Sequence, residues 1–205
     1  MRTLVLDTAT AACSVALFDG EALVARLHEV VGRGHAERLV PMIAALPDGG
    51  RADRVLVDVG PGSFTGIRVG LAAARALGLA WSIPVTGYSS LAVVAAAAFR
   101  HSDDGLPIAA LLEGGHGEIF MQEFSSSPLR PISALESLPP AAARVRIGGS
   151  TIVGDGCRWL GFGDVKTAPR GALPDAGDAM LLPDALRQLP PTPLYGRAPD
   201  AKLPA

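Results

Sequence analysis

The chain has 205 residues, a formal net charge of −2 and no run of lysine or arginine. Hydrophobic residues make up 49% of it, aromatic residues 5%, and the mean hydropathy is +0.32. This length suits one large or two small domains with an ample core. A nucleic-acid-binding protein acting alone needs a basic surface that this composition lacks, so any RNA contact is expected to depend on a partner.

Two features of the sequence bear on its location. Cys13 and Cys157 form no CxxC pair, and Asp7 interrupts the apolar run that a signal peptide would need. The segment Ala76–Phe99 is uncharged and long enough for a membrane span, but Pro84 and the turn residues after it break the segment. We therefore predict a cytoplasmic protein without a membrane segment.

The first hundred residues predict three strands followed by alternating helices and strands. Apolar runs mark the strands, and Gly, Pro and Asp mark the turns. This order is typical of a mixed sheet of the ribonuclease-H-like kind with helices packed on it, so the fold class is α/β. The predicted strands are Thr3–Asp7, Cys13–Asp19, Ala22–Val30, Arg54–Val59 and Pro84–Thr86, and the predicted helices are His35–Leu46, Ser63–Trp81 and one from Ser89 or Ser90 to about Arg100.

The residues that follow repeat the same strand and turn pattern more weakly. Strand Pro107–Leu112, an acidic residue, a glycine turn and strand Glu118–Phe124 repeat the arrangement at the N terminus. Twelve of the 17 prolines come after residue 127, so regular structure is expected to be sparser there. We expect two lobes, 1–103 and 104–205, the second smaller and degenerate. Its further predicted elements are short strands at Val145–Ile147 and Thr151–Val153 and a helix at Asp184–Leu189.

The most informative stretch is the turn Gly60-Pro61-Gly62-Ser63 and the almost uncharged helix that follows it. Ser63 is a good N-cap residue. Glycine inside a helix costs about 1 kcal/mol relative to alanine, yet small residues recur at every fourth position and would let another backbone come close. Contact with a partner helix, a phosphate site and packing on the chain's own sheet all remain open. The small-residue row is Gly66, Gly70, Ala74 and Gly78, flanked by Ile67, Leu71 and Leu77.

A nucleotide site is the main alternative function. The turn at Gly60, Gly62 and Ser63 precedes a helix, whose free amides and dipole attract anions. Asp7 ends the first strand, where a carboxylate could approach magnesium and phosphates. However, no P-loop lysine follows the turn and no glycine follows Asp7. Asp7 is interpreted first as a structural residue that accepts turn amides, and a small ATPase or phosphotransferase is the alternative.

The histidines predict no metal site and no catalytic triad. They lie apart in the sequence, without the i,i+4 spacing that points two imidazoles at one metal ion. No Ser/His/Asp arrangement can be argued from spacing, which leaves a degenerate peptidase as a third alternative. The histidines are His28, His35, His101 and His116.

Residues 4–10, 13–17, 35–42 and 60–68 read LVLDTAT, CSVAL, HAERLVPM and GPGSFTGIR. In this combination they closely resemble the TsaB family, also called YeaZ. The resemblance is strong over residues 1 to about 125. Beyond that it thins to Gly154-Asp155-Gly156 and to Tyr195-Gly196-Arg197, which looks like the family's C-terminal Tyr-x-Arg element.

This resemblance implies a bacterial protein of tRNA modification, needed to make threonylcarbamoyladenosine beside the anticodon. It implies two lobes of the actin, sugar-kinase and heat-shock-ATPase superfamily. The related TsaD performs the chemistry, whereas TsaB-like proteins are non-catalytic companions without a cofactor. They pair with TsaD, recruit the ATPase TsaE, and often form homodimers when alone. Contact with tRNA is then expected only indirectly, through the complex.

The resemblance also assigns residues to an interface formed by the first two long helices. In the second helix these are the small-residue row and its flanking residues. Ser90 and Val94 stand where TsaD has two metal-binding histidines, and Gly114-Gly115 stand where many members have Ala-Arg. Apart from the resemblance, Glu118 and Arg197 are expected to pair within the second lobe, and these two residues and Tyr195 are interpreted as structural. In the first helix the expected interface residues are His35, Arg38, Leu39, Met42, Ile43 and Leu46.

Overall fold

Two five-stranded sheets organise the chain in this computed structural model, which describes residues 1–102, 105–161 and 172–196. The strands of the first sheet are β1 (Arg2–Asp7), β2 (Ala12–Asp19), β3 (Ala22–Val30), β4 (Arg54–Asp58) and β5 (Val85–Tyr88). Their order is β3-β2-β1-β4-β5. Strand β1 is antiparallel to β2 and parallel to β4, and β4 is parallel to β5. This topology confirms the predicted ribonuclease-H-like mixed sheet.

Three helices follow the strands in the predicted order: α1 (His35–Ala45), α2 (Phe64–Trp81) and α3 (Ser90–Phe99). The Ser63 side chain caps α2 by accepting a 3.2 Å hydrogen bond from the Gly66 amide, as its position before the helix indicated. The uncharged segment is divided among α2, β5 and α3. Within the described ranges, no helix combines the length and apolarity needed to span a bilayer.

The second sheet repeats the arrangement of the first. Its strands are β6 (Ile108–Gly115), β7 (Glu118–Ser126), β8 (Leu129–Pro131), β9 (Glu136–Leu138) and β10 (Thr151–Val153). Strand β6 is antiparallel to β7 and parallel to β10, and β8 and β9 are antiparallel to β7. The order β8-β7-β6-β10 in this sheet corresponds to β3-β2-β1-β4 in the first. Helix α4 (Pro140–Arg146) precedes β10 as α1 precedes β4. The repeated sequence pattern therefore reflects a repeated topology.

Four short elements differ from the predictions. Val145 lies in α4, so the strand predicted at Val145–Ile147 is wrong: Pro140 at the first helical position and the alanines after it favour a helix. Strands β8 and β9 were not predicted. The helix predicted at Asp184–Leu189 is a single 3₁₀ turn at Asp184–Leu186.

The core forms layers because successive strand residues point to opposite faces of a sheet. Leu4 and Leu6 of β1 pack with α1 and α2 on one face, and Val5 packs with α3 on the other. Helix α3 also packs on β6 and β7 of the second sheet, so it is buried between both sheets. This burial explains why α3 is apolar on all sides.

After β10 the chain returns to the first sheet. Leu189 pairs with Gly87 of β5 through two backbone hydrogen bonds of 2.7 and 3.0 Å. Leu194 then donates its amide to the Val59 carbonyl at 2.7 Å. We call residues 189–196 the strap. The proposed division near residue 103 thus separates the strands of the two sheets, but the strap of the second half completes the first lobe.

Candidate functional site

The small-residue row of α2 lies against the chain's own sheet. A Cβ on Gly66 would lie 2.1 Å from the Thr8 carbonyl oxygen, and one on Gly70 would lie 2.5 Å from Thr8 Oγ1. A Cβ on Gly78 would come within 2.5 Å of Val85. The interpretation of this row as a groove for a partner helix is therefore wrong. The row lets α2 approach the end of β1 and β5 of the same chain, which is the third of the open alternatives.

Most other residues expected at the interface are also buried within the chain. Apart from His35, they belong to one core cluster with β1, β2 and β4, which accounts for their helical spacing. Leu77 is half-buried against this cluster, and Arg38 is exposed, with a 2.6 Å ion pair to Glu29. The prediction that these buried residues contact a partner directly is therefore wrong. Those at most 7% exposed are His35, Leu39, Met42, Ile43, Leu46, Ile67, Leu71 and Ala74.

His35 has a structural position at the start of α1. Its Nε2 lies 2.8 Å from the Thr10 carbonyl oxygen and 3.1 Å from the Ala12 carbonyl oxygen. The ring therefore ties the helix to the turn between β1 and β2. This explains the histidine at a helix start without a partner contact.

The opposite sides of α1 and α2 are exposed and carry several apolar residues beside the charged Glu37 and Arg75. Val40 of α1 is 62% exposed and Leu79 of α2 is 84% exposed. The two helices pack beside each other over the same core cluster, so these sides lie together on the outside of the molecule. We call this surface the outer face. It comprises Val40, Ala44, Ala72, Ala76, Leu79 and Ala80.

The glycine turn before α2 is closed by the chain itself. Ser63 donates its amide to the Ala9 carbonyl at 2.6 Å, and a Cβ on Gly62 would lie 2.0 Å from the same oxygen. The Gly60 amide donates to Asp58 at 2.7 Å, and the Gly66 amide donates to the Ser63 hydroxyl. Three of the amides that a phosphate would need are thus already engaged.

Asp7 and Asp58 form a fully buried carboxyl pair beneath this turn. Tyr88 donates to Asp7 at 2.9 Å, and Ser90 donates to the two Asp58 oxygens at 2.8 and 2.7 Å. Asp7 also accepts the Ala9 amide at 3.4 Å. Because Asp7 is sealed from solvent, its interpretation as a ligand of nucleotide-bound magnesium is wrong. Its acceptance of a turn amide fits the structural interpretation.

Burial sets the protonation of this pair. It raises the pKa of both carboxyls, and the neighbouring Asp7 raises that of Asp58 further, well above its usual range. The hydrogen bond from Asp58 acts the other way on Asp7. The two carboxyls therefore share a proton more readily than exposed carboxyls would.

A cleft of about 910 Å³ lies between the turn after β1 and the turn between β6 and β7. Its charged side chains come from both halves of the chain, and Gly114 and Gly115 form part of the wall. Burial raises the pKa of Asp155 in this cleft to about 6, and Asp155 accepts the Glu113 amide at 3.0 Å. The titratable side chains of the lining are Arg33, Arg68, Glu113, His116, Asp155 and Tyr195.

Tyr195 closes one side of this cleft. Its hydroxyl accepts hydrogen bonds from Arg68 Nε at 3.2 Å and Nη2 at 3.0 Å, and its ring stacks on Phe64 with centroids 5.6 Å apart. Glu118 instead accepts from the Ser137 hydroxyl at 2.6 Å. Arg197 lies outside the described residues, so its predicted pairing with Glu118 stays a prediction.

The structure brings together a Ser/Asp/His group that spacing did not reveal. Ser14 Oγ lies 3.3 Å from Asp175 Oδ1, and His28 Nδ1 lies 3.2 Å from Asp175 Oδ2. A nucleophilic serine needs the histidine beside it as the base. Here the aspartate separates them, so the group joins β2 and β3 to the C-terminal segment rather than activating Ser14.

Ser90 and Val94, which the resemblance sets opposite two metal-binding histidines, have other surroundings here. Ser90 bonds to Asp58, and Val94 is buried in the core shared by the two sheets. Across residues 1–102, 105–161 and 172–196, no group of three or more His, Cys, Asp or Glu side chains is arranged to hold a metal ion.

Comparisons with known proteins agree on one family. The family model of TsaD, tRNA N6-adenosine threonylcarbamoyltransferase, matches residues 27–127. The tRNA threonylcarbamoyladenosine biosynthesis protein TsaB of Escherichia coli is 36% identical over 132 residues, which are 60% of this chain and 55% of that protein. The Haemophilus influenzae TsaB is 35% identical over 137 residues, 63% of this chain and 56% of that protein. The chain thus spans about half the length of these relatives.

A solved structure extends the similarity to the whole fold. YeaZ from Pseudomonas aeruginosa superimposes with a TM-score of 0.79 at 27% sequence identity, covering 95% of this chain and 99% of that one. The similarity therefore extends into the second sheet, where sequence motifs are sparse.

Proposed function

Because this chain belongs to the TsaB (YeaZ) family, we propose that it acts in the synthesis of threonylcarbamoyladenosine in tRNA as a non-catalytic partner of a TsaD homologue. In this role it holds TsaD in an active assembly to which a TsaE homologue binds, and tRNA meets it only through the complex. The names of its relatives support the pathway. The match of residues 27–127 to the TsaD model supports descent from a common ancestor with the transferase.

The state of its reactive side chains supports a non-catalytic role. Asp7 and Asp58 are sealed under the glycine turn, and Asp175 separates Ser14 from His28. Burial raises the pKa of the Cys13 thiol to about 11, which keeps it protonated and unreactive at neutral pH. Each of these groups serves the fold.

The outer face is the observation that carries the proposal. Exposed apolar patches on a soluble protein commonly mark sites of protein association. Val40 and Leu79 lie among exposed alanines, with Glu37 and Arg75 beside them, so a partner helix can pack closely on the alanines and pair with the charges. The interface is thus assigned to the sides of α1 and α2 that face away from the core. A second copy of the chain occupies the same face when TsaD is absent.

Co-purification with a TsaD homologue tests this proposal. Leu79→Glu places a charge on the outer face and is expected to weaken the association at least tenfold, because an unpaired carboxylate would be buried. Val145→Glu is the matched control, since Val145 on α4 is also 84% exposed. It should leave binding unchanged. Equal binding by both variants would show that the outer face is not the interface. Failure of the unaltered chain to bind TsaD would rule out the proposed function.

A second candidate, nucleotide binding, is favoured by the cleft alone. Its volume suits a small ligand, and Arg33 and Arg68 bring positive charge to its lining. Calorimetry with ATP and magnesium tests this function directly. Nucleotide binding is supported if the heat saturates at one nucleotide per chain and Arg33→Ala reduces it. The absence of any binding heat would exclude this function.

A further inference from the structure

The two walls of the cleft carry opposite charges. Arg33, in the loop between β3 and α1, and Arg68, near the start of α2, line it from the first lobe. Glu113, near the end of β6, and Asp155, just after β10, line it from the second lobe. We call these the basic wall and the acidic wall. A ligand that reaches both walls is stabilised most when it carries a charge of each sign.

The basic wall presents a guanidinium whose charge is not neutralised by its contacts. Arg68 is exposed and donates from Nε and Nη2 to the uncharged hydroxyl of Tyr195. It also lies 3.5 Å from the centroid of the Phe64 ring. Neither contact brings a negative charge to Arg68. An anionic group of a ligand at this wall would therefore gain a charge-assisted hydrogen bond.

The acidic wall is built around a buried carboxyl. Asp155 is only 9% exposed and accepts the Glu113 amide at 3.0 Å. Burial raises the pKa of Asp155 to about 6, and hydrogen bonds from backbone amides offset the burial only in part. The side chain of Glu113 forms an ion pair with Arg158. A cation beside Asp155 would offset the cost of burying its carboxylate, so this wall suits an ammonium or guanidinium group.

Apolar side chains form a further part of the lining. Phe120 of β7 is 5% exposed, so its ring is fixed by the core of the second sheet, and Phe64 lies at the start of α2. Ala9 and Ala11 add small apolar surfaces from the turn after β1. Such surfaces bury the hydrocarbon part of a ligand while the polar groups fix its ends.

We propose that the cleft binds a small zwitterion whose anionic group lies at Arg68 on the basic wall and whose cationic group lies at Asp155 on the acidic wall. The cleft volume of about 910 Å³ leaves room for a hydrocarbon spacer between the two charges. A nucleoside triphosphate, in contrast, brings only negative charge to the acidic wall. All of these groups belong to this chain, so the site does not depend on the proposed partnership with TsaD.

Titration of the full chain, followed by the amide chemical shifts of Thr10 and Gly114 in the lining, tests this site. Three probes of equal length separate the two charges: ε-aminocaproate carries both, caproate only the carboxylate, and hexylamine only the ammonium. We expect ε-aminocaproate to bind about tenfold more tightly than either of the others, because it alone can reach both walls. Equal affinities for the three probes, or no shift with ε-aminocaproate, would overturn the proposal.

Two variants assign each charge to its wall. Asp155→Asn should weaken the binding of ε-aminocaproate about tenfold and weaken that of hexylamine, but leave caproate unchanged. Arg68→Gln should weaken the binding of ε-aminocaproate and caproate but leave hexylamine unchanged. A general loss of structure cannot produce this crossed pattern. Variants that affect all three probes alike would contradict the assignment. Saturable shifts with ATP and magnesium, but none with ε-aminocaproate, would instead assign the cleft to a nucleotide.

Discussion

Tyr88 at the end of β5 donates its hydroxyl to Asp7 at the end of β1, across the intervening strand β4. Asp58 of the intervening strand β4 shares a proton with Asp7. Burial raises the pKa of Tyr88 well above its usual range, so its hydroxyl remains a donor at neutral pH. The buried carboxyl pair is thus held by hydroxyl and amide donors. This network joins three strands directly beneath the start of α2.

The first prediction concerns the acid of this pair. Asp58→Asn keeps an N–H donor for Asp7 and an oxygen for the Gly60 amide and the Ser90 hydroxyl. Its free energy of unfolding at pH 7 should therefore stay close to that of the unaltered chain. Asp58→Ala leaves both donors without an acceptor and should cost about 1–3 kcal/mol for each. Urea denaturation measures the stability of both variants. An equal loss of stability in the two would show that the hydrogen bonds of Asp58 do not determine its contribution to stability.

The second prediction is the pH dependence of the same pair. The folded state raises the pKa of both carboxyls, so it binds more protons than the unfolded chain. The stability from this source is complete below the usual pKa of about 4 and falls as pH rises toward the folded values. Asp58→Asn removes most of that fall. The stability of Asp58→Asn minus that of the unaltered chain should therefore increase from pH 4 to pH 7, and a flat difference would contradict the shared proton.

The third prediction concerns His28 and Asp175. Pairing with Asp175 raises the pKa of His28, so its contribution is complete below pH 6.5 or so and is lost as pH rises through the folded pKa. Burial alone would raise the pKa of Asp175, but pairing with His28 and the Gly177 amide lowers it. Its contribution is present above about pH 4 and is lost as pH falls through that lowered value. His28→Gln should hence destabilise the protein most between these limits.

A double-mutant cycle of His28→Gln and Asp175→Asn isolates the interaction energy between His28 and Asp175. The coupling energy measured by urea denaturation should be largest near pH 5.5 and small above pH 8. A coupling that is the same at both pH values would mean that the ion pair contributes nothing and that the contact is steric.

The first sheet could be predicted from local signals because strand runs and turn residues alternate clearly there. The Ser63 cap could be predicted because a capping residue acts on its own helix. The role of the small-residue row could not. Helical spacing shows that Gly66 and Gly70 share one side of α2, but a foreign helix and the chain's own sheet accept the same row equally well. The choice depends on Thr8, whose position relative to α2 is a tertiary property.

The cleft was predictable only in part, for a related reason. Gly62 and Ser63 line it as their turn suggested, yet Asp7 points into the core instead. The contact of Tyr195 with Arg68 joins residues 127 positions apart. No local pattern signals such a pair, and only the family resemblance drew attention to Tyr195. Contacts of this kind arise from the path of the strap.

The last prediction decides what the small-residue row of α2 is for. If Gly66 faced solvent or a loosely packed partner, Gly66→Ala would stabilise the helix by about 1 kcal/mol. Here the added Cβ would lie 2.1 Å from a backbone oxygen of Thr8, which cannot move without displacing the turn after β1. We expect a net loss of about 1–3 kcal/mol in the isolated chain. Ala76→Leu on the exposed side of α2 is the control, and it should leave stability within about 0.5 kcal/mol. Urea denaturation of both variants at pH 7 gives the answer. A gain in stability for Gly66→Ala would mean that α2 lies farther from β1 than the structure shows, and would return the row to its interpretation as a partner surface.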